Sequence, residues 1–142
     1  MKQQSYANHS RLVFGFHGIL FLMMLAFLIG SIMNLISCTK ENLYAASLLV
    51  LLAFILVLLS FYLRAFALKA QDKAIKAEES LRYFVLTGKA LPSNVKVRQI
   101  IGLRFASDEE FVSLVDRAVK ENLSEKEIKK SIKNWRADNY RV

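Results

Sequence analysis

The chain has 142 residues, 54% of them hydrophobic, a formal net charge of +8 and a single cysteine. That length excludes a transporter with its own central pathway, and the lone Cys38 excludes an internal disulfide. The apolar residues are concentrated in two blocks, Leu12 to Cys38 and Leu43 to Leu63, separated only by Thr39, Lys40, Glu41 and Asn42.

The expected organisation in chain order is an all-α membrane protein. Residues 1–11 form a cytoplasmic N-terminal tail, 12–38 a first transmembrane helix, 39–42 an external loop and 43–63 a second transmembrane helix. Residues 64–87 then form a cytoplasmic helical extension and 93–142 a small three-helix module. A bilayer core takes ~20 apolar residues per helix, so each block is long enough to cross once, and the short link folds the pair into a hairpin. From Arg64 to Val142 there are 17 Lys/Arg against 11 Asp/Glu, and Arg64, Lys69, Lys73 and Lys76 closely follow the second block. Basic residues are retained on the cytoplasmic side, so both termini are expected there. Leu35-Ile36-Ser37-Cys38 is similar to a lipoprotein processing site. The apolar run is 27 residues long, whereas a signal core has ~7–15, and an uncleaved span is the expectation.

At the entry to the first block, Tyr6, Phe14, Phe16 and His17 suit the headgroup zone, where amphipathic rings are favoured. Within it, Gly15, Gly18, Leu22, Ala26, Gly30 and Asn34 recur at steps of three or four and define a small-residue face. Helices in lipid associate where small residues let backbones approach and where groups such as Asn hydrogen-bond, so this face is expected to meet the second span or another copy. On the second span, Ala46, Ala53, Ser60, Ala67, Ala74 and Leu81 recur every seven residues, with Leu49, Leu56, Leu63, Ala70, Ala77 and Phe84 three places after each. The seam predicts one uninterrupted helix from about Leu43 to about Leu86, ended by Gly88 and closed off by Pro92.

Three short helices are signalled beyond Pro92. Ser93 opens one carrying Val97, Ile100, Ile101 and Phe105. Ser107 with Glu110 forms a capping box for a second carrying Phe111, Leu114, Val115 and Ala118. Ser124 with Glu127 opens a third with Ile128, Ile132 and Trp135 on one face. Some fifty residues make a marginal core, so docking on the long helix or on a partner is expected.

The stretches Tyr6-Ala7-Asn8-His9-Ser10-Arg11 leading to Gly15-Phe16-His17, Leu103-Arg104-Phe105-Ala106-Ser107-Asp108-Glu109-Glu110, and Asn134-Trp135-Arg136-Ala137-Asp138 resemble those of an uncharacterised family of small bacterial membrane proteins. That family is a domain of unknown function with a two-helix hairpin and a cytoplasmic helical tail. The resemblance spans both ends of the chain. It departs from the family at Phe14, where the family has a proline. It implies a membrane location and transfers no activity; with the basic residues retained on the cytoplasmic side, the expected location is the bacterial inner membrane.

No catalytic, cofactor or metal constellation emerges. His9 and His17 are the only histidines, and a haem between two helices needs an axial His from each, which the second span lacks. One cysteine at the far end of the first span assembles no tetrahedral zinc set. Asp108, Glu109 and Glu110 sit where a helix N-terminus favours negative charge. Lys126, Lys129, Lys130, Lys133 and Arg136 are expected along the last helix, as a solvated face or a contact for anionic lipid headgroups or an acidic protein. Nucleic acid is disfavoured by the interspersed acidic residues. Trp135 reads as a core anchor, with an interfacial contact to a partner or to lipid as the alternative. Arg104, between Leu103 and Phe105, is expected to tie helices together through Asp108 or Asp138, or else to meet a partner's carboxylate or phosphate. The leading expectation is a non-enzymatic adaptor presenting the basic helical module to a protein partner; a homo-oligomeric membrane scaffold is the alternative, and a membrane-tethered enzyme or haem protein a third.

Overall fold

The computed structural model describes Ser5, Tyr6 and residues 13–138. The expected tail, with Lys2, His9 and Arg11, lies outside the described residues apart from Ser5 and Tyr6. Every element among them is helical except for one isolated antiparallel bridge. The described residues divide into two units, 13–67 and, with Ser5 and Tyr6, 68–138.

In the first unit a π-helical segment, Gly15–Leu20, runs into α1, Phe21–Ser37. Lys40–Asn42 makes a single 3₁₀ turn, and α2 then extends from Leu43 to Thr87 without a break. Two helical stretches, Gly15–Ser37 and Lys40–Thr87, are long and apolar enough to cross a membrane. The π-helical start was not legible in the sequence. It carries Phe16 and His17, with the Val13 N–H donating to His17 Nδ1 at 3.2 Å and the Arg64 guanidinium 5.9 Å from the centre of the Phe16 ring.

The α1 face that meets α2 differs from the small-residue face expected. Its shielded positions are Met24, Leu28, Ser31, Leu35 and Cys38, whereas Gly15, Leu22, Ala26, Gly30 and Asn34 are exposed. A Cβ built at Gly15 or Gly30 would touch nothing, and at Gly18 it would meet only the Phe14 ring at 3.3 Å. The small residues at the contact come from α2: Ala46 and Ala53 are buried, and the Ser60 hydroxyl lies 3.1 Å from Met24 Sδ. A serine of α2 thus receives a Met of α1, and the buried alanines lie along the same seven-residue row.

The second unit contains the later part of α2 and the module. The heptad seam does not continue as its buried face. Ala74 and Leu81 are exposed, and Ile75, Glu79 and Tyr83 are buried instead, because the module packs on that side. Ile75 and Tyr83 join Ile100, Leu103, Phe105, Phe111, Val115 and Ile128 in one apolar cluster, so the module's core is completed by the long helix. Gly88 ends α2 at φ +69°, a backbone that glycine adopts without strain, and its N–H donates to Phe84 O at 2.8 Å.

Helix α3, Val97–Leu103, starts later than Ser93 suggested. Burying Val95 turns residues 92–95 back on themselves, with Val95 N–H donating to Pro92 O. The Gln99 side chain caps the helix by accepting from Lys96 N–H at 2.9 Å. Its amide nitrogen donates to Ala118 O and Leu123 O at 2.9 and 3.0 Å. Gln99 is buried, and these three bonds make that burial tolerable. Phe105 falls beyond the end of α3. Gly102 faces residues 125–128 so closely that a Cβ there would lie 3.1 Å from both Glu125 O and Ile128 Cγ2.

Helix α4, Asp108–Lys120, buries Phe111, Leu114, Val115 and Ala118. The capping box expected at its start is absent: the Ser107 side chain caps no N–H, and the Glu110 carboxylate is diverted to the N–H groups of Lys133 and Asn134 at 3.2 and 3.0 Å. Asn122, at φ +50°, closes α4, and Leu123 N–H returns to Ala118 O.

Helix α5, Glu125–Ser131, carries the capping box expected at Ser124 and Glu127. It ends before Trp135. Ile132 is buried in an extended conformation, and the chain runs on as a strap beside residues 105–107. Ser107 N–H donates to Asn134 O at 3.0 Å and Arg136 N–H to Phe105 O at 2.7 Å.

The Ser124 box has a titration consequence. The Ser124 hydroxyl and then its backbone N–H, both bonded to the carboxylate at 2.7 and 2.8 Å, hold the Glu127 carboxyl below its ordinary value of 4.5. A carboxyl lowered on folding contributes stability that is present above its unfolded pKa and lost as pH falls through the folded one. Ser124→Ala is expected to move the Glu127 titration up towards 4.5, as read from the side-chain carboxyl carbon shift across an NMR pH series.

Candidate functional site

The densest arrangement of charge in the second unit is built on Arg82, one turn beyond Glu79 on α2. Its Nε donates to Asp108 Oδ1 at 2.7 Å, Nη1 to Glu79 Oε2 at 3.0 Å, and Nη2 to Ala106 O at 2.7 Å. The guanidinium lies 4.2 Å from the centre of the Phe111 ring. A planar fork satisfied on three edges and stacked on an aromatic face is a geometry that arginine supplies and lysine does not. One side chain therefore ties α2, the turn before α4 and the first residue of α4 together.

Arg104 and Asp138 form a second pair at 3.3 Å. Asp138 is thus the residue that Arg104 reaches, while Asp108 is taken by Arg82. Arg136 approaches the other oxygen of Glu79 at 3.9 Å. These groups border a cleft of about 300 Å³ lined by Gln71, Ile75, Glu78, Glu79, Arg104, Arg136 and Asp138, among others. The carboxylates of Glu79, Asp108 and Asp138 are each turned onto an arginine, and Glu110 onto backbone N–H groups. The acidic run 108–110 therefore spreads its charges in different directions and does not gather them at one point.

The basic residues expected on one helical face are separated. Lys126 and Lys130 are exposed on α5, and Lys133 and Arg136 are exposed on the strap. Lys129 is buried, 2.6 Å from Glu125 and 5.3 Å from the centre of the Phe105 ring. It follows the fully buried Ile128, and the Phe105 ring covers it. The Lys130 ammonium lies 5.9 Å from the Tyr6 ring centre. Trp135 is half-buried against Phe105, ring centres 5.0 Å apart, as an anchor of the strap and not of a helix.

Arg82, Glu79 and Gln99 were missed by sequence reasoning. The available signal was the four-residue recurrence Ile75, Glu79, Tyr83, which places a carboxylate between two core residues. In a stretch rich in Lys and Glu it reads as ordinary solvated charge.

One family model, described as a family of unknown function (DUF6526), matches residues 1–142. No curated protein and no solved structure matches the chain.

Proposed function

The chain belongs to the family of unknown function DUF6526, and from the fold we propose a non-enzymatic integral protein of the bacterial inner membrane whose hairpin anchors a small cytoplasmic module for a protein partner. The observation that carries this reading is the contrast between the two units. Phe21, Leu22, Met33, Leu51, Phe54 and Leu58 are among many large apolar side chains left exposed along α1 and the first part of α2, whereas the module buries Phe105, Phe111, Ile100 and Leu103 almost completely. A soluble chain does not leave so continuous an apolar sheath in water, and lipid is the solvent that matches it. The excess of lysine and arginine after Leu63 supports a cytoplasmic module. Lys126, Lys130 and Lys133 are among the exposed cations it offers to a partner's acidic surface or to anionic headgroups.

Alkaline carbonate extraction followed by reporter fusion after Val142 tests the placement. The chain stays in the membrane pellet, and a reporter active only in the cytoplasm is on. Release into the supernatant, or activity of a reporter that works only in the periplasm, refutes it. Purification in mild detergent then checks the adaptor role, which requires a foreign protein to co-purify stoichiometrically and to be lost in a Lys126→Glu/Lys130→Glu/Lys133→Glu variant.

A further inference from the structure

We propose that the later part of α2 carries a self-complementary dimerisation face, and that its occupant is the same face of a second copy of this chain aligned in parallel. The inference rests on the membrane reading above. Leu81, Phe84 and Val85 are 63%, 54% and 73% exposed, although they belong to the unit that has an apolar core of its own. The module packs on the side of α2 defined by Ile75, Glu79 and Tyr83, and it leaves these three, with Ala70 and Ala77, uncovered, while Ala74 is exposed at the rim of the cleft between α2 and the strap. Lipid does not explain them. At 1.5 Å per residue Leu81 is about 25 Å further along the helix than Arg64, well past a headgroup layer that begins near that arginine.

The uncovered residues fall into the alternating three and four spacing of a two-stranded coiled coil. Ala74 and Leu81 occupy one seam position and Ala70, Ala77 and Phe84 the other. In that register Lys73 and Glu78 flank the seam on opposite sides. Both are exposed, Glu78 at the rim of the cleft that Arg104 and Arg136 also line, and neither makes an ion pair among the described residues. In a parallel pair a residue flanking one side of the seam faces the residue five places further on in the other helix, so Lys73 of each copy meets Glu78 of its partner. An antiparallel pair would oppose Lys73 to Lys73 and Glu78 to Glu78. Insertion of both copies in one membrane with the same orientation imposes the parallel arrangement independently of these charges. A seam of fewer than three heptads is weak for freely diffusing helices, but confinement in a membrane raises the effective concentration of one copy around another. A two-fold axis along the helix direction makes the contact closed.

The test uses the full chain in native membranes with Cys38→Ser as the background. Single variants Ala77→Cys and Phe84→Cys on the seam, and Lys76→Cys away from it, are oxidised in the membrane fraction and run on non-reducing gels. Disulfide-linked dimers at both seam positions and none at Lys76→Cys are expected. Adding Glu78→Lys abolishes the seam cross-links, and Lys73→Glu together with Glu78→Lys restores them. A membrane-resident chain with no cross-link at the seam, equal cross-linking at Lys76→Cys, or a monomer in which lipid or a foreign protein covers Phe84, overturns the dimer and leaves the hairpin standing. Recovery of the chain in the soluble fraction overturns the hairpin reading first, and the parallel alignment with it.

Discussion

Arg82→Met is expected to destabilise the module by about 3–5 kcal/mol, the loss typical of removing one partner from a buried ion pair. The reason is what it leaves behind. Glu79 retains only 8% side-chain exposure, too little for water to replace the guanidinium. Its remaining cation, Arg136 at 3.9 Å, is itself 55% exposed and contributes little through such a long contact. Ala106 O loses its side-chain donor as well. Arg104→Met is the control. Arg104 is as well buried, but its partner Asp138 is 26% exposed and can hydrate once released, so a smaller loss is expected. Thermal unfolding of the full chain in detergent, followed by the fluorescence of Trp135, the only tryptophan, ranks the two. A Glu79→Leu/Arg82→Met double variant is expected to recover a substantial part of the loss, because the buried carboxylate leaves with its partner. A midpoint for Arg82→Met indistinguishable from that of the unsubstituted chain would show that the hub contributes no more than a surface ion pair.

That comparison also marks where the sequence was legible. Features fixed by neighbours along the chain could be read directly. Gly88 ends α2, Ser124 and Glu127 box the start of α5, and the spacing of Phe111, Leu114, Val115 and Ala118 defines the buried face of α4. Each depends on backbone geometry within one or two turns. Features decided by what packs where could not be read this way. Ser107 and Glu110 have the same spacing as Ser124 and Glu127, yet Glu110 is claimed by the N–H groups of Lys133 and Asn134, which are distant in sequence and become neighbours only once the strap is in place. Lys129 is indistinguishable from Lys126 and Lys130 by composition, and its burial follows from the position of the Phe105 ring. On α2 the seven-residue recurrence of small residues is real, but a recurrence names a face and not its occupant. Ala46 and Ala53 are buried, while Leu81, in the same register, is left exposed because the module packs on the side of Ile75, Glu79 and Tyr83. The charged extension hides Glu79 and Arg82 for the same reason: nothing local distinguishes a carboxylate that will be buried from one that will stay in water.

Phe105→Ala is expected to cost about 3–5 kcal/mol, the range for truncating a fully buried phenylalanine. The loss falls on the strap as much as on the core. Phe105 is 0% exposed, and its ring supports Trp135 on one side while the guanidinium of Arg104 and the ammonium of Lys129 lie 4.7 and 5.3 Å from its centre. Truncation leaves the Phe105 carbonyl in place to accept from Arg136, so the backbone bonds of the strap remain available while the surface beneath Trp135 disappears. The Trp135 emission of the folded variant should therefore shift to the red at temperatures well below its lowered midpoint, as the indole gains water before the helices unfold. Trp135→Ala, which removes a half-buried ring but keeps the core filled, should cost less. If it costs as much as Phe105→Ala, the strap is itself a main support of the module, and residues 132–138 would have to be counted as part of the core that holds the Arg82 hub in place.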